Sequence, residues 1–148
     1  MNNLIYVASA YAGDIKGNVE KAKQYCIHVI NEGGVPIAPH LLFTQFLDDN
    51  VPHERKLGLD LGLKLLEHCD EVWVFGNISG GMKREIEKAK ELNKPIRWFD
   101  ADCSDITELR RCTDLGSDDY HVSAELHQEV EKRRKLDKFK RIEEAAYK

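Results

Sequence analysis

The part of this 148-residue chain with the most chemical content is Gly76-Asn77-Ile78-Ser79-Gly80-Gly81-Met82-Lys83-Arg84-Glu85. It follows Glu71-Val72-Trp73-Val74-Phe75, an apolar run with the look of a buried strand, and it runs into a helix expected from about Met82 to Leu92. A helix that starts at a glycine pair offers free backbone N–H groups and the positive end of its dipole to a phosphate or carboxylate. The same residues also serve as a tight turn, with Gly80-Gly81 making the bend and Ser79 capping the helix. They match neither GxGxxG nor the P-loop, which disfavours dinucleotide and NTP sites of those kinds. Helical phase separates the acids that follow. Glu85 shares a stripe with Met82, Ala89 and Leu92, whereas Glu87 shares one with Lys83, Lys90 and Lys94. Glu85 is therefore expected to point inward and Glu87 outward. An inward carboxylate beside a helix N-terminus is a candidate nucleophile or base; the competing reading is a surface glutamate paired with Lys88.

Other polar residues carry weaker signals. His40 follows the short run Val35-Pro36-Ile37-Ala38-Pro39 and is either a ligand contact or a surface group. Asp60 lies within a leucine-rich helix, flanked four residues away on each side by Lys56 and Lys64, and reads equally as a paired surface carboxylate or as a catalytic partner. Asp70 reads as a turn residue at the opposite edge of the sheet. Asp48-Asp49 is not accompanied by a spaced ligand set, so no metal is expected. Cys26, Cys69, Cys103 and Cys112 form no CxxC pair; they read as reduced thiols, two of them core fillers.

The elements that must position these residues follow from periodicity. Leu4 to Ala8 reads as a central strand, about Asn18 to Asn31 as a helix stopped by Gly33-Gly34, and Val35 to Pro39 as a short strand limited by its prolines. Leu41 to Val51 reads as a connecting loop. About Pro52 to His68 reads as a helix whose stripes Leu57/Leu61/Leu65 and Leu59/Leu63/Leu66 imply deep burial. Pro95 to Phe99 is a fourth short strand. Strands alternating with helices predict an α/β, Rossmann-like (flavodoxin-like) parallel sheet of about four to five strands with helices on both faces. Ligands of such sheets bind beyond the carboxyl ends of the strands, which directs attention to Ser9–Asp14, Pro39-His40, Gly76–Gly81 and the turn after Phe99.

The expected organisation is an α/β domain over 1–99, an acidic irregular segment over 100–120 with at most one helical turn around Ile106 to Arg111, and a C-terminal amphipathic helix over 121–148. Formal charge over these stretches is about −1, −5 and +2 within a total of −4. That balance disfavours general attraction to nucleic acid or anionic membranes. Hydrophobic residues make up 42% and charged residues 32%, which excludes wholesale disorder. No apolar stretch approaches the ~20 residues of a membrane span, and the N-terminus lacks the pattern of a secretory signal, so a cytoplasmic protein is expected. The apolar stripe of the last helix needs a cover, and a homo-oligomer is expected to supply it.

Taken together, Ile5–Asp14, Pro36–His40 and Cys69–Gly76 followed by Ser79-Gly80-Gly81-Met82-Lys83-Arg84-Glu85 resemble a largely uncharacterised bacterial and phage domain family. That family is grouped with the nucleoside 2-deoxyribosyltransferases and the 2'-deoxynucleoside 5'-phosphate N-hydrolases. The resemblance covers about residues 4 to 99 and places Ser79, Gly81 and Glu85 on the motif S-x-G-x-x-x-E. It implies that Glu85 attacks the anomeric carbon of a nucleoside or nucleotide, forming a glycosyl-enzyme ester as retaining glycosidases do. It also implies an acid on the helix before the third strand, for which Asp60 is the nearest candidate. Ser9, Tyr11, Gly13 and the Ser79–Gly81 turn would hold the sugar or a 5'-phosphate, with His40 and Tyr11 lining the pocket. No cofactor is implied. The alternative is a non-catalytic module that binds a nucleotide or ADP-ribose-like ligand as a sensor or sequestering protein. Arg84, Glu87 and the lack of an arginine in Ser9–Asp14 depart from the active members.

Overall fold

The computed structural model describes residues 3–113 and Lys132. Strands β1 (Leu4–Ala8), β2 (Val35–Ile37), β3 (Glu71–Phe75) and β4 (Ile96–Phe99) form one sheet in the order β2-β1-β3-β4, with every pair parallel. The connections are α1 (Ile15–Asn31) between β1 and β2, α2 (Pro39–Leu42) and α3 (Pro52–His68) before β3, and α4 (Gly80–Glu91) between β3 and β4. This is the Rossmann-like α/β sheet expected from the alternation. The helix expected over 121–148 lies outside the described residues.

The side-chain alternation of the strands sorts the core into two layers. Tyr6 and Ala8 of β1, with Val72 and Val74 of β3, face Leu66 of α3 and Met82, Ile86 and Ala89 of α4. Ile5, Val7, Trp73, Phe75 and Phe99 face the other way, onto Tyr25 and Val29 of α1. Both central strands are buried on both faces, which is why they read as continuous apolar runs. Cys69 is buried in the first layer, and Cys26 and Cys103 pack against the second; all three are free thiols.

Four expectations change in detail. Helix α1 begins three residues early, because the side chain of Asp14 accepts from Gly17 N at 3.2 Å and so caps it. The expected loop after His40 contains α2 and a 3-10 turn at Phe43–Gln45, a helical start made possible by Pro39 in its first turn. Helix α3 is less buried than its leucines imply. Only Gly62 and Leu66 are fully covered, and Leu57 is 47% exposed, because two leucine stripes span more of the helix than one sheet face can cover. Ile106 opens a second compact unit, whose helix α5 (Thr107–Thr113) is longer than the single turn expected.

Candidate active site

At the carboxyl ends of β1 and β3 the chain leaves for opposite faces of the sheet, into α1 and α4. That is the switch point at which open α/β sheets bind ligands. A cleft of about 500 Å³ lies there. Its floor is made by Tyr6 of β1 and Glu85 and Met82 of α4, and its walls by the residues after β1, β2 and β3 and by one face of α3.

The chemistry centres on Glu85. Its helix starts at Ser79, whose Oγ accepts from Met82 N at 3.4 Å, and the phase set there turns Met82, Ile86 and Ala89 into the core and Glu85 toward β1. Tyr6 Oη donates to Glu85 Oε1 at 2.7 Å. Glu85 Oε2 is buried and has no protein partner. Burial raises the carboxyl from its ordinary 4.5 to about 7, against the smaller lowering effect of the Tyr6 hydrogen bond. Burial, and then the carboxylate beside it, pushes the Tyr6 phenol well above its usual value, so the phenol remains a donor.

A second polar pair stands on the wall. Ser9 Oγ lies 2.8 Å from His40 Nε2, and burial pushes the imidazole down to about 4, so it is neutral near pH 7. Thr44 Oγ1 donates to the His40 carbonyl at 2.7 Å and ties α2 to the following turn. Asn18 Nδ2 donates to the carbonyls of Tyr11 and Ala12, both at 3.1 Å, and so holds the β1–α1 loop against the helix start.

Of the residues singled out from sequence, Ser9, Tyr11, His40, Ser79, Gly80, Gly81 and Glu85 line the one cleft. Gly13 does not line it; it supplies the left-handed turn (φ 97°) just beyond Tyr11 and Ala12. Asp60 is not brought to the cleft either. It is exposed, because Gly62 and Leu66 define the inward line of α3 and a residue two places from Gly62 points the opposite way. Asp70 accepts from Leu4 N at 2.7 Å, at the far edge of the sheet.

Among the residues missed are Tyr6, Phe43, Glu54, Arg55, Gly58 and Gly62, all of which line the cleft, as does Asp49, read from sequence only as a loop acid. Asp49 and Arg55 face each other at 4.0 Å near the start of α3. Tyr6 had a usable signal. Strand alternation puts it on the same face as Ala8, and a phenol on a buried face needs a polar partner there.

An open α/β sheet with a carboxyl at its switch point defines the class of protein. Residues 3–99 match the family described as Domain of unknown function (DUF7768), and the chain belongs to that family. Among solved structures, a 2-deoxyribosyltransferase from the psychrotolerant bacterium Bacillus psychrosaccharolyticus is similar at 20% identity, with a TM-score of 0.51 over 66% of this chain and 72% of that one. A 2-desoxiribosyltransferase from Leishmania mexicana aligns at 16% identity, with a TM-score of 0.47 over 66% of this chain and 64% of that one. The first likeness is one of fold. No curated protein matches the sequence. Among the described residues, no helix is long and apolar enough to cross a membrane.

Proposed function

We propose that the chain cleaves or transfers the N-glycosidic bond of a nucleoside or nucleotide, with Glu85 as nucleophile. The observation that carries this reading is the Glu85 carboxyl on the cleft floor: one oxygen is fixed by Tyr6 Oη at 2.7 Å and the other is buried and bare. A desolvated carboxylate on the floor of a cleft gains by forming a bond to an electrophilic sugar carbon, and the tyrosine fixes which oxygen is free to do so. The open backbone at Gly80 and Gly81, where an added Cβ would meet nothing within 4 Å, leaves the start of α4 free to receive a phosphate or sugar hydroxyls. Likeness of fold to the bacterial 2-deoxyribosyltransferase supports the same class of chemistry.

The reading is tested by incubation with a panel of nucleosides and nucleotides, followed by chromatography for free base and mass spectrometry of the peptide bearing Glu85. The native protein should release base and carry a glycosyl adduct on that peptide, and Glu85→Gln should do neither. Unaltered turnover by Glu85→Gln would end the proposal. One observation favours a binding module instead: Asp60, the nearest candidate for the acid that the resemblance implies, is exposed and does not line the cleft. Ligand recovered intact from both proteins would establish that reading.

A further inference from the structure

Helix α4 opens on two backbone donors that the fold does not use. The N–H of Met82 donates to Ser79 Oγ at 3.4 Å and that of Lys83 to the Ser79 carbonyl at 3.2 Å, whereas those of Gly80 and Gly81 have no partner among the described residues. Both glycines line the cleft, and an added Cβ on either would meet nothing within 4 Å, so the two donors stand open to it. No acid occupies the first turn of this helix. Arg84 follows instead, four residues after Gly80 and three after Gly81, and it lines the same cleft. A helical side chain leans over the turn before it, so the guanidinium is carried toward the glycine pair, which has no side chains to keep it away.

A cation beside a helix N-terminus is unfavourable unless an anion shares the site. Among the described residues no acid does so. Of the two arginines that line the cleft, Arg55 faces Asp49 at 4.0 Å, while Arg84 enters no ion pair among those residues. Glu54 lies in the first turn of α3, where its charge answers the positive end of its own helix. Glu85 is bonded to Tyr6 through Oε1, and its Oε2 is buried without a partner. The cleft thus holds two unfilled places. One is the bare oxygen on the floor; the other is the positive cradle of Arg84 and the two amides, whose Gly81 stands four residues, about 6 Å along the axis, before Glu85. A furanose and its exocyclic carbon span about one such helical turn.

With the N-glycosidic reading as its premise, we propose that Arg84 makes this a nucleotide site: its guanidinium and the amides of Gly80 and Gly81 hold the phosphate of a nucleoside 5'-monophosphate while the anomeric carbon faces Glu85. The planar fork of an arginine matches two phosphate oxygens, and the amides supply donors to the third. A nucleoside without the phosphate leaves all three groups unmatched, so the phosphate decides which substrates are taken.

The experiment compares 2'-deoxyadenosine, adenosine and thymidine each with its own 5'-monophosphate, so that base and sugar cancel within a pair. Free base is measured by chromatography for the native full chain, Arg84→Gln and Arg84→Lys, and binding of the monophosphates by calorimetry. Arg84 is exposed, so both variants should unfold at the native urea concentration. In the native protein kcat/KM should favour the monophosphate by about tenfold to a hundredfold, the weight of hydrogen bonds to a charged group. Arg84→Gln should abolish that preference, and Arg84→Lys, which keeps the charge without the fork, should retain part of it. Equal kcat/KM for nucleoside and monophosphate in the native protein, or a preference that survives Arg84→Gln, would overturn the inference and leave the N-glycosidic reading in place. No base from any compound would end that reading, and calorimetry then decides the phosphate site by itself. Monophosphate binding that Arg84→Gln weakens by about tenfold or more would support the site; binding indifferent to Arg84, or none, would overturn it.

Discussion

Replacing Glu85 by glutamine should change the pH dependence of folding, a consequence independent of any substrate. Raising the carboxyl from 4.5 to about 7 in the native protein corresponds to about 3 kcal/mol of differential interaction between its two protonation states. The sign follows from proton counting. Below about pH 4.5 both folded and unfolded chains hold the proton, and this group adds no pH dependence. Between 4.5 and 7 only the folded chain holds it, so stability falls by about 1.4 kcal/mol per pH unit. Above 7 both have lost it and the whole penalty is present. The Glu85→Gln protein has no such slope, and its carbonyl still accepts from Tyr6 Oη. Its amide nitrogen occupies the place of the partnerless Oε2 and costs about 1–3 kcal/mol for an unmatched buried donor. The variant should thus be less stable than the native protein near pH 5 and equal or more stable near pH 8. Urea titrations of both proteins at a series of pH values measure this directly, since ionisations common to both cancel in the difference and an unchanged slope m shows that the denatured state is unaltered. A stability difference that stays constant within about 0.5 kcal/mol from pH 5 to pH 8 would refute the desolvated carboxyl.

Two further variants test the groups around it. Tyr6→Phe removes only the hydroxyl that bonds Glu85 at 2.7 Å; because that bond lowers the carboxyl's pKa, the ascending limb of kcat/KM against pH should move to higher pH. The loss of a hydrogen bond to a charged group, worth about 1.5–3 kcal/mol, should lower kcat/KM by about tenfold to a hundredfold, and an unmoved limb would count against the contact. Ser9→Ala leaves His40 Nε2 without its partner in a buried wall and should cost about 1–3 kcal/mol in urea unfolding, with the ring still neutral at pH 6 by NMR. An imidazole that titrates near 6.5 in the native protein would refute the burial assigned to it.

What was legible in the sequence depended on whether a residue's neighbours declared its direction. Glu85 could be turned inward on paper because Met82 and Ala89, three before it and four after it, are apolar and are buried in the fold. Asp60 sits in a helix where leucines recur on almost every side, so phase carried no information and the acid's identity filled the gap. The deciding residue was Gly62, which has no side chain to register in a hydrophobic pattern, yet it is buried against Tyr6 Oη and Pro39 while Asp60 points to solvent. Residues two apart on a helix differ by about 200° in direction. The same rule that placed one acid in the cleft thus removes the other once the inward line is known. Helix α2 was hidden for a related reason: its Leu42, and Phe46 just beyond it, are more than half exposed, so no apolar period marks the segment. Tyr6 was hidden by being a good strand residue in a good strand, with its partner 79 positions away. The parallel sheet was readable because its two central strands are almost wholly apolar. The site was readable only where helical periodicity was clean, and its glycine wall, built from side chains that are absent, leaves no trace in a search for chemically active residues.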